Sequence, residues 1–199
     1  MKVEEPILDY NQLDLTKQYT YFDYLRWQFA ERVELIKGTI IKISPGPNVR
    51  HQKILGALYL NIAPPFKNQK CQVFLSPFDV RLPVPNAVKD STVVQPDLCI
   101  ICDSSKLDEQ GCKGAPDLVI EILSPGNTKH DTNTKFGLYE SSGVKEYWIV
   151  DPSDKMILVY TLQNGKYIGL QPFSEGQTII SPLFSDLKIA FDDVFEEIQ

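Results

Sequence analysis

The stretch Asp117-Leu118-Val119-Ile120-Glu121-Ile122-Leu123, answered downstream by Glu146-Tyr147-Trp148-Ile149-Val150, decides the fold. Both are near-continuous apolar runs, the pattern of strands covered on both faces. Between them Ser124-Pro125-Gly126-Asn127-Thr128 reads as a turn with a capping candidate. A helix over residues 129–142 follows, and Gly143 stops it. Strand, helix and strand within the 34 residues from Asp117 to Val150 predict a βαβ unit. Its two strands then lie parallel, with a right-handed crossover.

Upstream, residues 93–102 form another apolar run, and residues 71–82 are strand-like. Asn48 can cap a helix that carries Ile54, Leu55, Leu58 and Ile62 on one face, and Pro64-Pro65 is expected to end it. Residues 33–43 read as two short strands joined at Lys37-Gly38. Thr20-Tyr21-Phe22-Asp23 has capping-box spacing and predicts an aromatic helix to about Ala30. Downstream, Asn164-Gly165 between two strand-like runs signals a hairpin, and the acidic C-terminus a small helix. The expected architecture is α/β of the α+β kind, one domain over residues 1–199. Its core is about 20–152, and the hairpin and acidic tail occupy 153–199.

The chain has 199 residues, 43% hydrophobic and 23% charged, ordinary values that exclude a disordered chain. No apolar run is long enough to span a bilayer, and Met1-Lys2-Val3-Glu4-Glu5-Pro6 lacks the form of a secretory signal. A cytoplasmic protein with no membrane partner is expected. The net charge of −6 argues against a nonspecific nucleic-acid coat, but its distribution matters more. Residues 171–199 hold six acids and one base. Residues 26–53 hold six bases and two acids, a segment able to meet a phosphate backbone or to form a solvated face. Cys99-x-x-Cys102 lies in a strand, where residues three apart face opposite ways, so a metal or redox pair is not expected. All four cysteines read as small buried hydrophobes in a reducing compartment.

Two carboxylates stand inside apolar runs: Asp97, after Gln95-Pro96, and Glu121. Alternation puts Glu121 on one face with Val119 and Leu123. A buried lone carboxylate costs several kcal/mol unless a cation or hydrogen bonds offset it. Taken singly, each acid reads as a structural ion pair or as a strand-end carboxylate capping backbone amides; two on neighbouring strands shift the reading toward a metal site, and oxygen ligands suit Mg²⁺ or Mn²⁺. Lys135 lies four residues after Asp131, the spacing of a surface pair. Leu138 and Tyr139, at i+3 and i+4, also allow it to point inward, where a lysine can orient a water or offset phosphoryl charge.

These residues resemble the PD-(D/E)XK pattern of restriction-endonuclease-like nucleases, most closely a bacterial branch with a YELI-x-G strand, a His-bearing helix, DVRL and PD strands, and DLVIEILSPS…D…K…Y…GV-x-EYW-x-VDP. The matching residues are Val33 through Gly38, His51, Asp79 through Leu82, Gln95-Pro96-Asp97, Asp117 through Pro125, Asp131, Lys135, Tyr139 and Gly143 through Pro152. The resemblance implies a mixed central sheet flanked by helices and a Mg²⁺- or Mn²⁺-dependent endonuclease acting on DNA. It implies Asp97 and Glu121 as metal ligands, with the Ile122 carbonyl. The superfamily's lysine belongs two residues after the glutamate, where this chain has Leu123. The resemblance therefore implies that the lysine has migrated to Lys135. It also suggests Glu34 as an additional carboxylate and His51 as a general base or phosphate contact. Against these stand a half-exposed strand residue and a core histidine. Asp79 is a weaker candidate. Restriction-type nucleases often dimerise. The alternative is a catalytically silent module of the same fold that binds nucleic acid or a protein. Other reaction classes leave no motif: there is no GxSxG, GxxxxGK, GxGxxG or HExxH.

Overall fold

The computed structural model describes residues 5–43, 48–124 and 129–196. The expected turn over 125–128 and the side chain of Asp131 lie outside the described parts. The helices are α1 (Tyr21–Tyr24), α2 (Val49–Phe66), α3 (Lys129–Ser142) and α4 (Phe191–Phe195). The first strands are β1 (Val33–Ile36), β2 (Thr39–Lys42), β3 (Gln72–Leu75), β4 (Val80–Arg81), β5 (Val93–Val94), β6 (Leu98–Ile101), β7 (Leu107–Asp108) and β8 (Gly111–Lys113). After them come β9 (Leu118–Ile122), β10 (Glu146–Asp151), β11 (Met156–Gln163), β12 (Lys166–Gly169), β13 (Thr178–Ile180) and β14 (Lys188–Ala190).

The main sheet has the order β12-β11-β10-β9-β6-β3. β9 and β10 run parallel, Leu118 opposite Glu146, and α3 is their crossover. Every other neighbour in this sheet is antiparallel, so the sheet is mixed. Alternation sorts its residues as expected. Leu118, Ile120, Trp148 and Val150 face α2, which brings Ile54, Leu55, Leu58 and Ile62. Val119, Tyr147 and Ile149 face Leu138 and Tyr139 of α3. Asn48 caps α2 by accepting the His51 N–H at 2.9 Å. The helix runs one residue past Pro65 before it stops.

Three features of the strands and helices differ from expectation. A second six-stranded sheet, β2-β1-β5-β4-β8-β7, packs on the α3 face. The run over 93–102 is divided between the two sheets: β5 belongs to the second and β6 to the first. Pro96 causes the division, since it has no N–H for a ladder. Asp97 therefore stands just before a strand, in the crossing between the sheets. Finally, α1 ends at Tyr24, because Ile7 takes up the chain beyond it: its N–H bonds the Arg26 carbonyl and its carbonyl accepts the Gln28 N–H. The capping box at its start is present, with Asp23 accepting from the Thr20 N–H and hydroxyl.

The cysteines do not all remain thiols. Cys71 and Cys102 extend the β3–β6 register by one pair, and their sulfurs are bonded. Cys99 and Cys112 are buried and free.

The C-terminal part is built into the main layer. The hairpin β11–β12 extends the sheet from β10, with Asn164 and Gly165 at φ 51° and 76° in its turn, the left-handed pair a two-residue hairpin needs. Ile179, Leu187, Ile189 and Phe191 join the α2 core. Glu146 anchors this segment. It is wholly buried and accepts from Trp148 Nε1 at 2.6 Å, Ser181 Oγ at 2.9 Å and the Leu183 N–H at 2.8 Å. Burial pushes its carboxyl up, and the three donors pull it back. Glu146→Ala would leave all three donors unpaired and is expected to cost about 3 kcal/mol in urea denaturation. A loss within about 0.5 kcal/mol, the range of an ordinary surface substitution, would show the anchor to be dispensable.

Candidate active site

The second sheet meets the main sheet around a cleft of about 680 Å³. Glu34, His51, Asp97, Glu121, Ile122 and Lys135 all line it. They come from five pieces of the fold. Glu34 is on β1, His51 on the first turn of α2, Asp97 in the crossing before β6, Glu121 and Ile122 at the end of β9, and Lys135 on α3.

Lys135 ties the two sheets together. Its Nζ donates to Glu121 Oε1 at 2.9 Å and to Glu34 Oε1 at 3.0 Å. From sequence the amine is expected beside Glu121 and Asp97; its second partner is instead Glu34, which is 3% exposed on β1. Burial alone would push the lysine toward neutrality, but Glu121 and Glu34 outweigh it and hold the ammonium above its ordinary range. Glu121 Oε1 also accepts from the buried Tyr139 hydroxyl at 2.7 Å. In the sequence Tyr139 stands in the family pattern and as an inward-facing neighbour of Lys135, four residues on, with no role assigned to it. Leu123, in the place of the superfamily's lysine, packs into the apolar layer with Val119 and Tyr147.

Asp97 is oriented from two sides. Its Oδ2 accepts the Ile122 N–H at 2.8 Å and lies 3.1 Å from His51 Nε2. Asp79 serves elsewhere: with Tyr24 it holds the side chain of Gln95, whose own N–H donates to Glu34 Oε1 at 2.9 Å. In the sequence Gln95 stands out only as the residue before the Pro-Asp pair, yet it links Tyr24, Asp79 and Arg32 to Glu34 of the acid cluster. The basic segment is dispersed. Arg32 and Lys42 line the cleft, whereas Arg50 bonds the Pro152 carbonyl.

When ionised, Glu34, Asp97 and Glu121 outnumber the Lys135 ammonium and leave two negative charges in excess. Burial pushes the Glu121 carboxyl up to about 7, against the pull of Lys135. Glu121 therefore keeps a proton in the folded chain at a pH where the unfolded chain has lost it. Stability owed to that proton is full below the ordinary glutamate range and falls as pH rises toward about 7. In chelator, thermal midpoints of the parent chain are expected to drop across that interval relative to Glu121→Gln. Parallel profiles would contradict this.

Among the described residues no three His, Cys, Asp or Glu side chains converge tightly enough to hold an ion alone. The oxygen set nevertheless fits a hard divalent ion that keeps several waters. Glu121 Oε1 and Asp97 Oδ2 are engaged in the bonds above. Their second oxygens, Glu121 Oε2 and Asp97 Oδ1, carry no hydrogen bond among the described residues and are not sealed from the cleft.

The mixed sheet with its parallel βαβ unit fits the restriction-endonuclease-like superfamily, and the family match and the structural match below support that placement. The chain belongs to the Uma2 family, described as "Putative restriction endonuclease", whose model matches residues 22–192. A relative from Synechocystis sp. (strain PCC 6803), "Uncharacterized protein sll1609", is 28% identical over 141 residues, 68% of this chain and 76% of the relative. The crystal structure of a protein from Anabaena variabilis, described as a putative nuclease belonging to DUF820, superposes with a TM-score of 0.70 at 22% identity. That match covers 89% of this chain and 98% of the other, and it supports the fold. No helix among the described residues is long and apolar enough to cross a membrane.

Proposed function

We propose that the chain is a Mg²⁺- or Mn²⁺-dependent endonuclease that hydrolyses DNA phosphodiester bonds. The observation that carries this reading is the acid cluster crossed by Lys135: buried carboxylates with open oxygens in a cleft, offset only in part by one ammonium. Asp97 and Glu121 would hold the ion, with the carbonyl of Ile122. A bound divalent ion there supplies a more acidic water and withdraws charge from the phosphate.

The chain's own groups do the rest. His51 and the Ile122 N–H fix one Asp97 oxygen and turn the other toward the cleft. Tyr139 and Lys135 do the same for Glu121. Lys135 is held protonated by its two acids, so its role is hydrogen-bond donation to the attacking water or to the developing phosphoryl charge, and not proton abstraction. Glu34 sets where the ammonium stands. In-line attack leaves a 5′-phosphate and a 3′-hydroxyl.

The silent-module alternative rests on Leu123 and the net charge of −6; the amine of Lys135 beside Glu121 weakens the first of these. Supercoiled plasmid incubated with the purified chain and Mg²⁺ or Mn²⁺ tests the reading. Nicking that chelator abolishes is the expected result; intact plasmid and intact single-stranded DNA with either ion would overturn it.

A further inference from the structure

Three side chains with fixed positive charge line the cleft: Arg32, Lys42 and Lys135. Two are matched by acids, Lys42 by Glu31 at 3.6 Å and Lys135 by Glu121 and Glu34. Arg32 has no acidic partner among the described residues. Neutral acceptors position it instead: its Nη2 donates to Ser76 Oγ at 2.7 Å and to Gln95 Oε1 at 2.9 Å. Both anchors are themselves tied to the acid cluster. The Ser76 N–H donates to the Asp97 carbonyl at 3.1 Å, and the Gln95 N–H donates to Glu34. The guanidinium is thus registered against Asp97 and Glu34 through one residue each. Arg32 is exposed and lines the cleft, and its bonds to Ser76 and Gln95 both leave from Nη2; its Nε–H and Nη1–H groups make no hydrogen bond among the described residues.

A guanidinium held rigidly by neutral groups keeps its full charge for an incoming anion, and its planar donors suit phosphate oxygens. We propose that Arg32 is the phosphate-binding residue of the cleft, taking a backbone phosphate of the nucleic-acid strand and setting that strand against Asp97 and Glu34. This rests on the nuclease reading and adds the group that recognises the substrate. Lys42 and Glu31 neutralise each other at the rim, so one residue carries the contact.

The test separates this inference from the reading beneath it. Binding of a fluorescein-labelled oligonucleotide is measured by polarisation in Ca²⁺ over a series of salt concentrations, which needs no turnover. Arg32→Gln is expected to weaken binding about tenfold and to lower the salt slope by about one. Arg32→Lys keeps the charge and should retain the slope while losing affinity. Thermal midpoints and Mn²⁺ calorimetry should match the parent chain for both variants, since Arg32 is exposed and is not one of the ion's proposed ligands. An unchanged slope and affinity in Arg32→Gln, or a parent chain that does not bind the oligonucleotide, overturns the proposal. Plasmid nicking, scored separately, bears on the nuclease reading alone.

Discussion

Asp97→Asn and Glu121→Gln are each expected to lower plasmid nicking about a thousandfold, the scale of losing a charge-stabilising group in an enclosed site. Both substitutions are close in shape, and both preserve the internal bonds. In Asp97→Asn the side-chain amide oxygen can still accept the Ile122 N–H, and in Glu121→Gln it can still accept from Lys135 and Tyr139. The loss should therefore appear in turnover and in Mn²⁺ affinity with the fold intact, and the stability of Glu121→Gln should differ from the parent chain only through the lost titration of that carboxyl. Nicking that survives both substitutions would place the chemistry elsewhere.

The second large effect is on stability. Lys135→Met would leave Glu34 and Glu121 facing each other in buried positions, without the ammonium that bridges them. Removing one partner of such a cluster costs about 3 kcal/mol, because the remaining charges stay desolvated. Chemical denaturation in chelator should show that loss, and nicking should fall with it. Adding Glu34→Gln and Glu121→Gln to Lys135→Met should recover most of the stability, since no uncompensated charge then remains, while activity stays absent. A triple variant no more stable than Lys135→Met would mean that packing of the lysine stem, and not charge, holds the region together.

Much of this arrangement was legible before the structure. The βαβ unit over 118–151 follows from two apolar runs and a polar helix. The face assignment of Glu121 follows from alternation alone. Asn48, Lys37-Gly38 and Asn164-Gly165 mark local geometry that the backbone adopts, because capping and left-handed turns depend on a few neighbouring residues.

What stayed hidden is non-local. The two-residue pairings of β4 and β5 are too short for a periodic signal, so the second sheet could not be seen. Pro96 divides an apolar run between two layers, a fact about hydrogen bonding that apolarity conceals. The Cys71–Cys102 bond needs the β3–β6 register, which no spacing encodes. Lys135 was visible as a candidate through its inward-facing neighbours, but its second partner was not. Glu34 lies 101 residues away from it on another sheet. Gln95 and Arg32 act through hydrogen bonds between distant segments, and neither residue type is distinctive enough to announce that role.

Anomalous scattering from a crystal of this chain soaked in Mn²⁺ tests directly whether Asp97 and Glu121 share an ion. A single peak touching both Asp97 Oδ1 and Glu121 Oε2 at about 2.2 Å, with Lys135 still bonded to Glu121, is the predicted result. A map without a peak in the cleft, or a peak on other carboxylates while these two oxygens face only solvent, would contradict it.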